Sequence, residues 1–426
     1  IKSSAASDVY KRQPKYIVVE KGIVIIGEVE RVKKRISIVL IVVMMLELVG
    51  CAKSSGGDSA EAKQIQVDEE ISAGLAYEGR MDLEYATEYA VDYYSDDYDL
   101  ITISDGSRFL IVPEDKEIPE DLDEDIKAVR QPIDNIYLVA SAAMDMFRSI
   151  DALDRIGFTG TEQDGWYLPE IPQLMEQGDI IYAGKYNAPD YELILSGGCD
   201  FAIENMMIMH TPEVKEKLEN FGIPVMVDRA SYEEHPLGRC EWVKLYGVLT
   251  GQEEQANAAF KEQAAELEQV LADKEQNGEG QTAPTVAFFY LTSNGAVNVR
   301  KTNDYVPKMI ELAGGKYIFD KLGDTQSKSS SVTMQMEEFY ASAKDVDCLI
   351  YNSTIDGQIT SIDELVAKNQ LLADFKAVQS GNVWCTTQNM YQESMAIGSM
   401  IADMHTAFVT DMSQNTDTRY LFKLNE

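Results

Sequence analysis

Histidine and cysteine are the side chains that most often supply catalytic bases, nucleophiles and metal ligands, and both are scarce in these 426 residues. The three histidines, His210, His235 and His405, are far apart, and the sequence contains no GxSxG, HExxH or Walker-type glycine loop. None of the five cysteines forms a CxxC pair or a Cys/His cluster. Hydrolase, metalloprotease and structural zinc chemistry are therefore not expected, and the sequence favours a binding protein over an enzyme.

Cys51 differs from the other cysteines in its surroundings. The basic residues of 31–35 precede the apolar run Ile36 to Val49, and Gly50 leads into Cys51. A run of about fourteen residues is short for a membrane-spanning helix of roughly 20 residues but fits an export signal. Leu48-Val49-Gly50-Cys51 resembles a bacterial lipobox, in which the cysteine receives a lipid. We therefore expect lipidation of Cys51 and a location on the extracellular face of the cell membrane, which is the periplasmic side in a Gram-negative cell.

The segments on either side of this signal are assigned separately. Residues 1–31 are expected to lie outside the native coding sequence, with translation starting at Val32, so that residues 1–50 form a leader and signal peptide. Residues 51–84 begin with the small, polar sequence AKSSGGDSAEA after Cys51 and are predicted to form a flexible tether.

The charge of the mature sequence excludes one class of partner. Residues 1–50 hold nine Lys/Arg and five Asp/Glu, so the net charge of −35 for the whole chain becomes about −39 from Cys51 onward. A strongly acidic surface repels a phosphate backbone, whose binding requires clustered Lys and Arg. Nucleic acid is therefore not expected as a partner.

The elements that must position a binding site follow an α/β pattern with a small N-terminal β-hairpin region. Apolar alternation around an Asp105-Gly106 turn predicts strands over 89–94, 100–103 and 108–112. From Ile136 onward, strands alternate with helices, as in parallel βα units. The predicted strands are Ile136–Ala140, Asp200–Glu204, Ile223–Val227, Thr285–Tyr290, Asp347–Tyr351 and Val383–Thr386. The predicted helices are Ala142–Ile156, Thr211–Asn220 and Tyr232–Lys274, the last with a bend at Gly247 or Gly251.

The two halves of this α/β region share a sequence pattern. An acidic helix start is followed by an aspartate, a buried strand, a glycine and another strand. The matching stretches are Glu192-Leu193-Ile194 with Cys199-Asp200-Phe201-Ala202-Ile203, and Glu337-Glu338-Phe339 with Val346-Asp347-Cys348-Leu349-Ile350. We predict two Rossmann-like lobes with mainly parallel sheets, joined by one long α-helix. The lobes are assigned to residues 85–231 and 276–426, and the linking helix to residues 232–275.

Two segments carry a family resemblance: Tyr182–Tyr186 with Pro189–Glu192, and Ser231–Trp242, which leads into the linking helix. From Ile136 onward the sequence resembles the class III, helical-backbone substrate-binding lipoproteins of ABC importers, which serve iron-siderophores, haem and cobalamin. The resemblance implies a monomer that captures a metal chelate between two lobes that move little, and delivers it to the permease of the same importer. No resident cofactor is expected.

The resemblance also implies that one acidic residue on each lobe docks on the permease. The matching positions are Glu192 and Glu337, each at a predicted helix start, where a carboxylate also suits the positive end of the helix dipole. Glu338 is an alternative to Glu337, and an ordinary helix-start acid is the other interpretation of both positions.

Ligand contacts are expected where the predicted strands end, because open α/β sheets bind ligands beyond the carboxyl ends of their strands. Aromatic and arginine side chains at these ends suit flat, anionic metal chelates, through stacking and charge-assisted hydrogen bonds. A surface or packing role is the alternative for each residue. The candidates are Asn135, Tyr137, Trp166, Tyr167, Arg229 and Tyr232 on the first lobe, and Asn298, Arg300, Lys301, Tyr351 and Asn352 on the second.

A free zinc- or manganese-binding protein of an ABC importer is the alternative function. Such proteins usually need several His or carboxylate ligands that converge from both lobes. His210 is a candidate for a direct metal ligand, whereas His235 is expected to shape the entry to the linking helix. Three histidines in the whole chain make the free-metal function the less favoured one.

Overall fold

The computed structural model describes residues 65–277, 282–322, 330–409 and 418–425. These residues belong to one unit, Ala62–Glu426, and the predicted signal peptide and lipidation site at Cys51 lie outside the described residues. Within these ranges no helix is long and apolar enough to cross a membrane. Cys240, Cys348 and Cys385 are buried and Cys199 is half-buried, all four as free thiols.

The first sheet extends the predicted hairpin region to five strands in the order β1-β2-β3-β4-β5. The β4–β5 pair is parallel and the other pairs are antiparallel. The strands are β1 (Tyr77–Arg80), β2 (Tyr89–Tyr94), β3 (Tyr98–Ile103), β4 (Arg108–Val112) and β5 (Ile126–Arg130). The three predicted strands and the turn at Gly106, with its φ of +93°, are confirmed, and β1 and β5 flank them.

This sheet is covered on both faces. Ile101 and Ile103 pack into the main core, while Leu100, on the opposite face, packs with Ile71 and Leu75 of the preceding segment. Ile71 is 1% exposed and Leu75 is 9% exposed. The tether predicted over residues 51–84 is therefore wrong for its second part, because these apolar side chains bury themselves against the sheet.

The first lobe contains a parallel five-stranded sheet in the order β12-β11-β6-β7-β8. Its elements are β6 (Ile136–Leu138), α1 (Ala143–Ser149), β7 (Ile156–Thr159), α2 (Glu170–Gln177), β8 (Ile181–Tyr182), β9 (Gly184–Lys185), β10 (Ala188–Pro189), α3 (Tyr191–Ser196), β11 (Ala202–Glu204), α4 (Pro212–Asn220) and β12 (Val225–Val227). Strands β9 and β10 form a separate antiparallel ribbon. Helix α1 ends earlier than the predicted 142–156 helix, because Asp151 adopts a left-handed φ of +56°.

The segment predicted as the linking helix is helical, but it forms two helices. They are α5 (Pro236–Thr250) and α6 (Glu253–Asn277). Gly251 separates them with a φ of +71°. The helices fold back on each other: Nζ of Lys244 lies 4.5 Å from the ring centroid of Phe260, and a Cβ on Gly247 would lie 2.7 Å from Cβ of Ala256. In one straight helix Lys244 and Phe260 would be about 24 Å apart, at 1.5 Å per residue. A helical hairpin therefore replaces the single long helix.

Helix α6 leads into the second lobe, which contains a mixed sheet in the order β16-β14-β13-β17-β18-β19, with β15 beside β13. Its elements are β13 (Thr285–Leu291), β14 (Val297–Arg300), α7 (Tyr305–Leu312), β15 (Lys316–Tyr317), β16 (Ser331–Met334), α8 (Met336–Ala343), β17 (Cys348–Tyr351), α9 (Ser353–Asp356), α10 (Ile362–Lys368), α11 (Lys376–Gln379), β18 (Val383–Thr386), α12 (Ile397–Val409) and β19 (Leu421–Lys423). The strands β13, β15, β17 and β18 run parallel. The predicted fold class, two α/β lobes with mainly parallel sheets, is confirmed.

Hydrogen bonds reproduce the internal repeat. The carboxylate of Asp200 accepts from the backbone N–H just ahead of β6 at 3.2 Å, and that of Asp347 accepts from the N–H of Thr285, at the start of β13, at 2.8 Å. Asn205 and Asn352 occupy the same position relative to these aspartates, and each caps the short helical turn that follows its strand. The two lobes therefore share strand geometry as well as sequence pattern.

Two buried carboxylates fasten the first sheet to α5. Glu241 accepts from the backbone N–H groups of Glu84, Tyr85 and Ala86 at 2.8 to 2.9 Å, and from Nζ of Lys244 at 2.7 Å. Glu233 accepts in the same way from the N–H groups of residues 87 and 88. The loop between β1 and β2 is thus held to the helical hairpin by charge-assisted hydrogen bonds.

Candidate ligand-binding cleft

A cavity of about 370 Å³ opens at the carboxyl edge of the first lobe's sheet. Its walls come from residues that follow β6, β7, β8 and β11, the position where parallel α/β sheets bind ligands. The polar walls include Ser141, Thr161, Glu162, Lys185, Tyr186 and Asn205. The cavity therefore offers hydroxyl, amide and charged groups to a guest molecule.

Asn205 ties two strand ends together at the cavity wall. Its Nδ2 donates to the carbonyl of Val139, after β6, at 3.2 Å, and its Oδ1 accepts from the N–H of Met207 at 2.9 Å. Nearby, Lys185 and Glu162 form an ion pair with an Nζ–Oε1 distance of 3.3 Å, and both side chains are more than half exposed. Because solvent screens this pair, the ammonium group can exchange its partner for a ligand at low energetic cost.

A polar cluster lies on the second lobe, where β17 ends. Nδ2 of Asn352 donates to the hydroxyl of Tyr391 at 3.0 Å, and the Arg300 guanidinium donates to the same oxygen and lies 5.0 Å from the ring centroid. Arg300 also lies 3.6 Å from Asp304, whose pKa is raised by burial although the guanidinium opposes that shift. The Tyr391 oxygen thus accepts two hydrogen bonds. Its own proton has no acceptor among the described residues and can be donated to a ligand.

Glutamine side chains bridge the two lobes beside this cluster. Nε2 of Gln392 donates to the carbonyl of Gly165 and its Oε1 accepts from the N–H of Tyr167, both at 2.8 Å. Nε2 of Gln388 donates to the Tyr167 hydroxyl at 3.2 Å. Gly165 is part of the cavity wall, and Gln392 directly follows Tyr391. The cavity wall and the loop that carries Tyr391 are therefore joined across the boundary between the lobes, and we refer to this region as the interlobe cleft.

Two buried polar atoms next to this bridge lack hydrogen-bond partners among the described residues. They are Nε1 of Trp166, a donor on the first lobe, and Oδ1 of Asn389, an acceptor on the second. Trp166 is only 6% exposed. Buried polar atoms in native proteins nearly always have partners, so these two indicate a place that water or a ligand completes.

Four candidates on the first lobe lie away from the cavity. Asn135 precedes β6 at the opposite edge of the sheet, with a left-handed φ of +50°. Tyr137 is buried, and its hydroxyl donates to the carbonyl of Gly184 at 2.7 Å. Nε of Arg229 is 2.6 Å from a carboxylate oxygen of Glu88, and the guanidinium lies 4.7 Å from the ring centroid of Tyr232. Arg229 and Tyr232 therefore connect this lobe to the first sheet.

Three candidates on the second lobe are engaged within it. Nδ2 of Asn298 donates to hydroxyls on the neighbouring strand β16 at 3.1 and 3.2 Å. Lys301 is 5% exposed, and its N–H donates to the carbonyl of Ser330 at 3.0 Å. Tyr351 lies in the core with its hydroxyl 2.7 Å from Asp356. The structure thus brings Arg300 and Asn352 together and sets Trp166 and Tyr167 across from them.

Sequence reasoning missed three residues of this cleft: Asn205, Tyr391 and Gln392. Asn205 could have been predicted from the sequence, because it matches the candidate Asn352 in the internal repeat. Tyr391 and Gln392 lie in the long loop after β18, where no sequence spacing fixes which side chains turn back to the cleft.

The two proposed docking acids occupy similar positions. Glu192 lies in the first turn of α3 and Glu337 in the first turn of α8, and both side chains are exposed. The N–H of Asp190, the cap of α3, donates to the carbonyl of Ala183 directly after β8. Helix α8 follows Met334 of β16. Met334 pairs with Val297 of β14, and Val297 pairs with Leu291 at the carboxyl end of β13. Both helices therefore begin at the carboxyl edges of their sheets.

Glu204, the last residue of β11, has unusual surroundings. It is fully buried, and neither carboxyl oxygen has a hydrogen-bond partner among the described residues. Burial raises the pKa of Glu204 to about 8, since no nearby cation offsets the loss of water. The carboxyl is therefore protonated at neutral pH.

Comparison with known proteins agrees with this architecture. Residues 156–390, more than half of the chain, match the family model described as periplasmic binding protein. The chain belongs to the periplasmic binding protein family. Membership implies a solute-binding protein with a small-molecule ligand and a transporter partner.

Solved structures share the fold of this periplasmic binding protein. A periplasmic haem-binding protein of Pseudomonas aeruginosa superimposes with a TM-score of 0.55 at 16% identity, covering 68% of this chain and 98% of that one. A periplasmic catecholate-siderophore-binding protein of Vibrio cholerae gives 0.51 at 15% identity, covering 65% and 94%.

Sequence relatives have nearly the same length. An uncharacterized lipoprotein of Methanocaldococcus jannaschii is 25% identical over 379 residues, which cover 84% of this chain and 87% of the relative. A second uncharacterized lipoprotein of that organism is 21% identical over 360 residues, covering 83% and 89%.

Proposed function

We propose that this periplasmic binding protein captures a metal chelate, of the iron-siderophore, haem or cobalamin kind, and delivers it to the permease of an ABC importer. The observation that carries the proposal is the cleft itself. A cavity on one lobe is joined through Gln392 to the loop of Tyr391, which forms a cluster with Arg300 and Asn352 on the other lobe.

The side chains around the cleft suit an anionic chelate. Arg300 and Lys185 supply positive charge from the two lobes, and Tyr391 supplies a hydroxyl proton. Tyr167, which is 41% exposed, supplies aromatic surface beside the interlobe bridge, and the buried Trp166 offers its indole N–H. Stacking and charge-assisted hydrogen bonds together favour a planar or ring-bearing ligand with negative oxygens. The named ligands of the Pseudomonas and Vibrio proteins, haem and a catecholate siderophore, fall in this class.

Delivery requires that the protein stay near its permease. We propose lipidation of Cys51, which the lipoprotein names of the Methanocaldococcus relatives support. Glu192 and Glu337 would then dock on basic pockets of the permease, one from each lobe. Paired charges of this kind chiefly set orientation and encounter rate.

The free zinc- or manganese-binding function is the alternative. Among the described residues, no group of three or more His, Cys, Asp or Glu side chains is placed to hold a metal ion. His210 is exposed, at the end of the turn after β11. The alternative is best decided by direct titration with the metals.

The test is a fluorescence titration of the purified protein with ferric siderophores, haemin, cobalamin, ZnCl₂ and MnCl₂. We expect saturable tryptophan quenching by one of the chelates at roughly micromolar concentration or below. Saturation by Zn²⁺ or Mn²⁺ alone would establish the alternative, and no response to any of the five would contradict both functions. Mass spectrometry of protein purified from its native cell would identify a co-purifying chelate independently.

A further inference from the structure

The two lobes each carry a short helical turn with an exposed apolar side chain, directly after the asparagine that caps it. On the first lobe, Asn205 is followed by a 3-10 turn, Met206–His210, in which Met207 is 46% and Met209 is 56% exposed. On the second lobe, Asn352 is followed by α9, in which Ile355 is 60% exposed. We call these two segments, 206–210 and 353–356, the rim turns.

Three apolar side chains of the rim turns, those of Met207, Met209 and Ile355, are more exposed than most other large apolar side chains of the described residues. Ile355 and Met209 are the two most exposed large apolar side chains in the part of the chain that the structure describes. They belong to corresponding turns of the two lobes, with Met209 four residues after Asn205 and Ile355 three residues after Asn352. Large apolar side chains that are exposed on corresponding turns of both lobes indicate a surface that is covered by a partner.

The rim turns share their edge with the docking acids. Each follows the carboxyl end of a central strand, β11 or β17, and Glu192 and Glu337 begin helices at the same sheet edges. Each lobe therefore presents at least one exposed acid at a helix start and a turn with an exposed apolar side chain on the face that contains the cleft opening. Because the arrangement is repeated, it fits a partner with two related halves.

We propose that the rim turns are the apolar contacts with the permease, which inserts them into a pair of related pockets beside its basic docking sites. This inference rests on the proposed function. The carboxylates would orient the complex, and removal of Met207, Met209 and Ile355 from water would supply much of its affinity. A ligand is the less suitable occupant, because none of Met207, Met209 and Ile355 lines the cavity.

Photo-crosslinking in the native cell tests the contact directly. Benzoylphenylalanine replaces Met209, Ile355 or Val409. Val409 is the control position: it is 52% exposed and lines a cavity together with Pro284, which precedes β13 at the opposite edge of the sheet. We expect crosslinks from positions 209 and 355 to the transmembrane subunits of one ABC importer, identified by mass spectrometry, and none from position 409. Crosslinks from all three positions alike, or none to a transporter subunit, would overturn the proposal.

A second measurement separates the rim turns from ligand binding. In the Met207→Ser/Met209→Ser/Ile355→Ser variant, we expect unchanged chelate affinity and a loss of uptake of at least about tenfold. The matched control is Leu271→Ser/Val409→Ser, which removes exposed apolar side chains elsewhere and should transport normally. Unchanged uptake, or weakened chelate binding, would refute the docking role while leaving the proposed function intact. If the wild-type protein binds no chelate, the proposed function itself fails.

Discussion

The hydroxyl oxygen of Tyr391 lies 3.0 Å from Nδ2 of Asn352, and the guanidinium of Arg300 donates to the same oxygen. The Tyr391 hydroxyl thus orients both the Asn352 amide and the Arg300 guanidinium toward the cleft. The three side chains come from β14, the end of β17 and the loop after β18, so the cluster forms only when the second lobe is folded.

Replacement of this hydroxyl is expected to weaken ligand binding. Tyr391→Phe leaves the donors of Arg300 and Asn352 without their acceptor and removes the proton offered to the ligand. We expect chelate affinity to fall by about 10- to 100-fold, the range for one hydrogen bond to a charged group. Isothermal titration calorimetry with the identified chelate measures the change. Tyr340→Phe, on α8, is the control, and equal affinities for both variants would exclude Tyr391 from the site.

Trp166 is expected to report ligand binding. Trp166 adjoins the cleft, whereas Trp242 and Trp384 are 0% and 2% exposed in the core. Trp166→Phe should therefore lose most of the ligand-induced quenching and retain the emission of the other two. Undiminished quenching in Trp166→Phe would place the ligand elsewhere. Trp384→Phe, which should leave the quenching intact, is the matched control.

Glu204 is expected to make stability fall as pH rises. Its pKa is about 8 in the folded protein and its ordinary value is 4.5. Between these values the folded state holds a proton that the unfolded state has released, so the contribution of this group is greatest below pH 4.5 and is lost toward pH 8. The difference is on the order of 5 kcal/mol.

The comparison of Glu204→Gln with the wild type isolates this effect. The variant cannot ionise, so we expect similar stability near pH 5 and a more stable variant near pH 8.5, measured by urea unfolding at several pH values. Glu216→Gln, at an exposed position on α4, should follow the wild type. Parallel pH profiles for Glu204→Gln and the wild type would show that the carboxyl has an unrecognised partner.

The docking acids give a prediction that separates binding from transport. Glu192→Ala/Glu337→Ala should bind chelate as the wild type does, because neither side chain lines the cavity, but uptake should fall several-fold through loss of orientation. Uptake of radiolabelled chelate by cells measures the effect. The control is Glu176→Ala/Asp363→Ala, a pair of exposed acids on α2 and α10. Normal uptake by the first pair would discard the docking assignment.

The sequence predicted strands well where apolar runs were continuous. β13 and β18 begin at the predicted residues because a buried strand requires little beyond such a run. The reversal at Gly251 was not predictable, because Gly247 is an equally plausible bend, and its close contact with Ala256 depends on the folded hairpin.

Side-chain direction explains which site predictions lie in the cleft. Tyr351 and Asn352 are adjacent, yet Tyr351 points into the core and Asn352 toward Tyr391. Successive side chains near a strand end face opposite ways, so an error of one residue moves a candidate from the cleft to the core. Proximity to a strand end therefore identifies a region of the site without identifying its contacts.

The hydrogen bonds of Glu241 hold the loop between β1 and β2 to α5, a helix that also contacts the second lobe. There, Sγ of Cys240 donates to the carbonyl of Ser394 at 3.2 Å, and the Arg239 guanidinium lies 4.0 Å from the ring centroid of Tyr305. A pull on the chain ahead of β1 would therefore be shared by both lobes through α5 and would not by itself separate them.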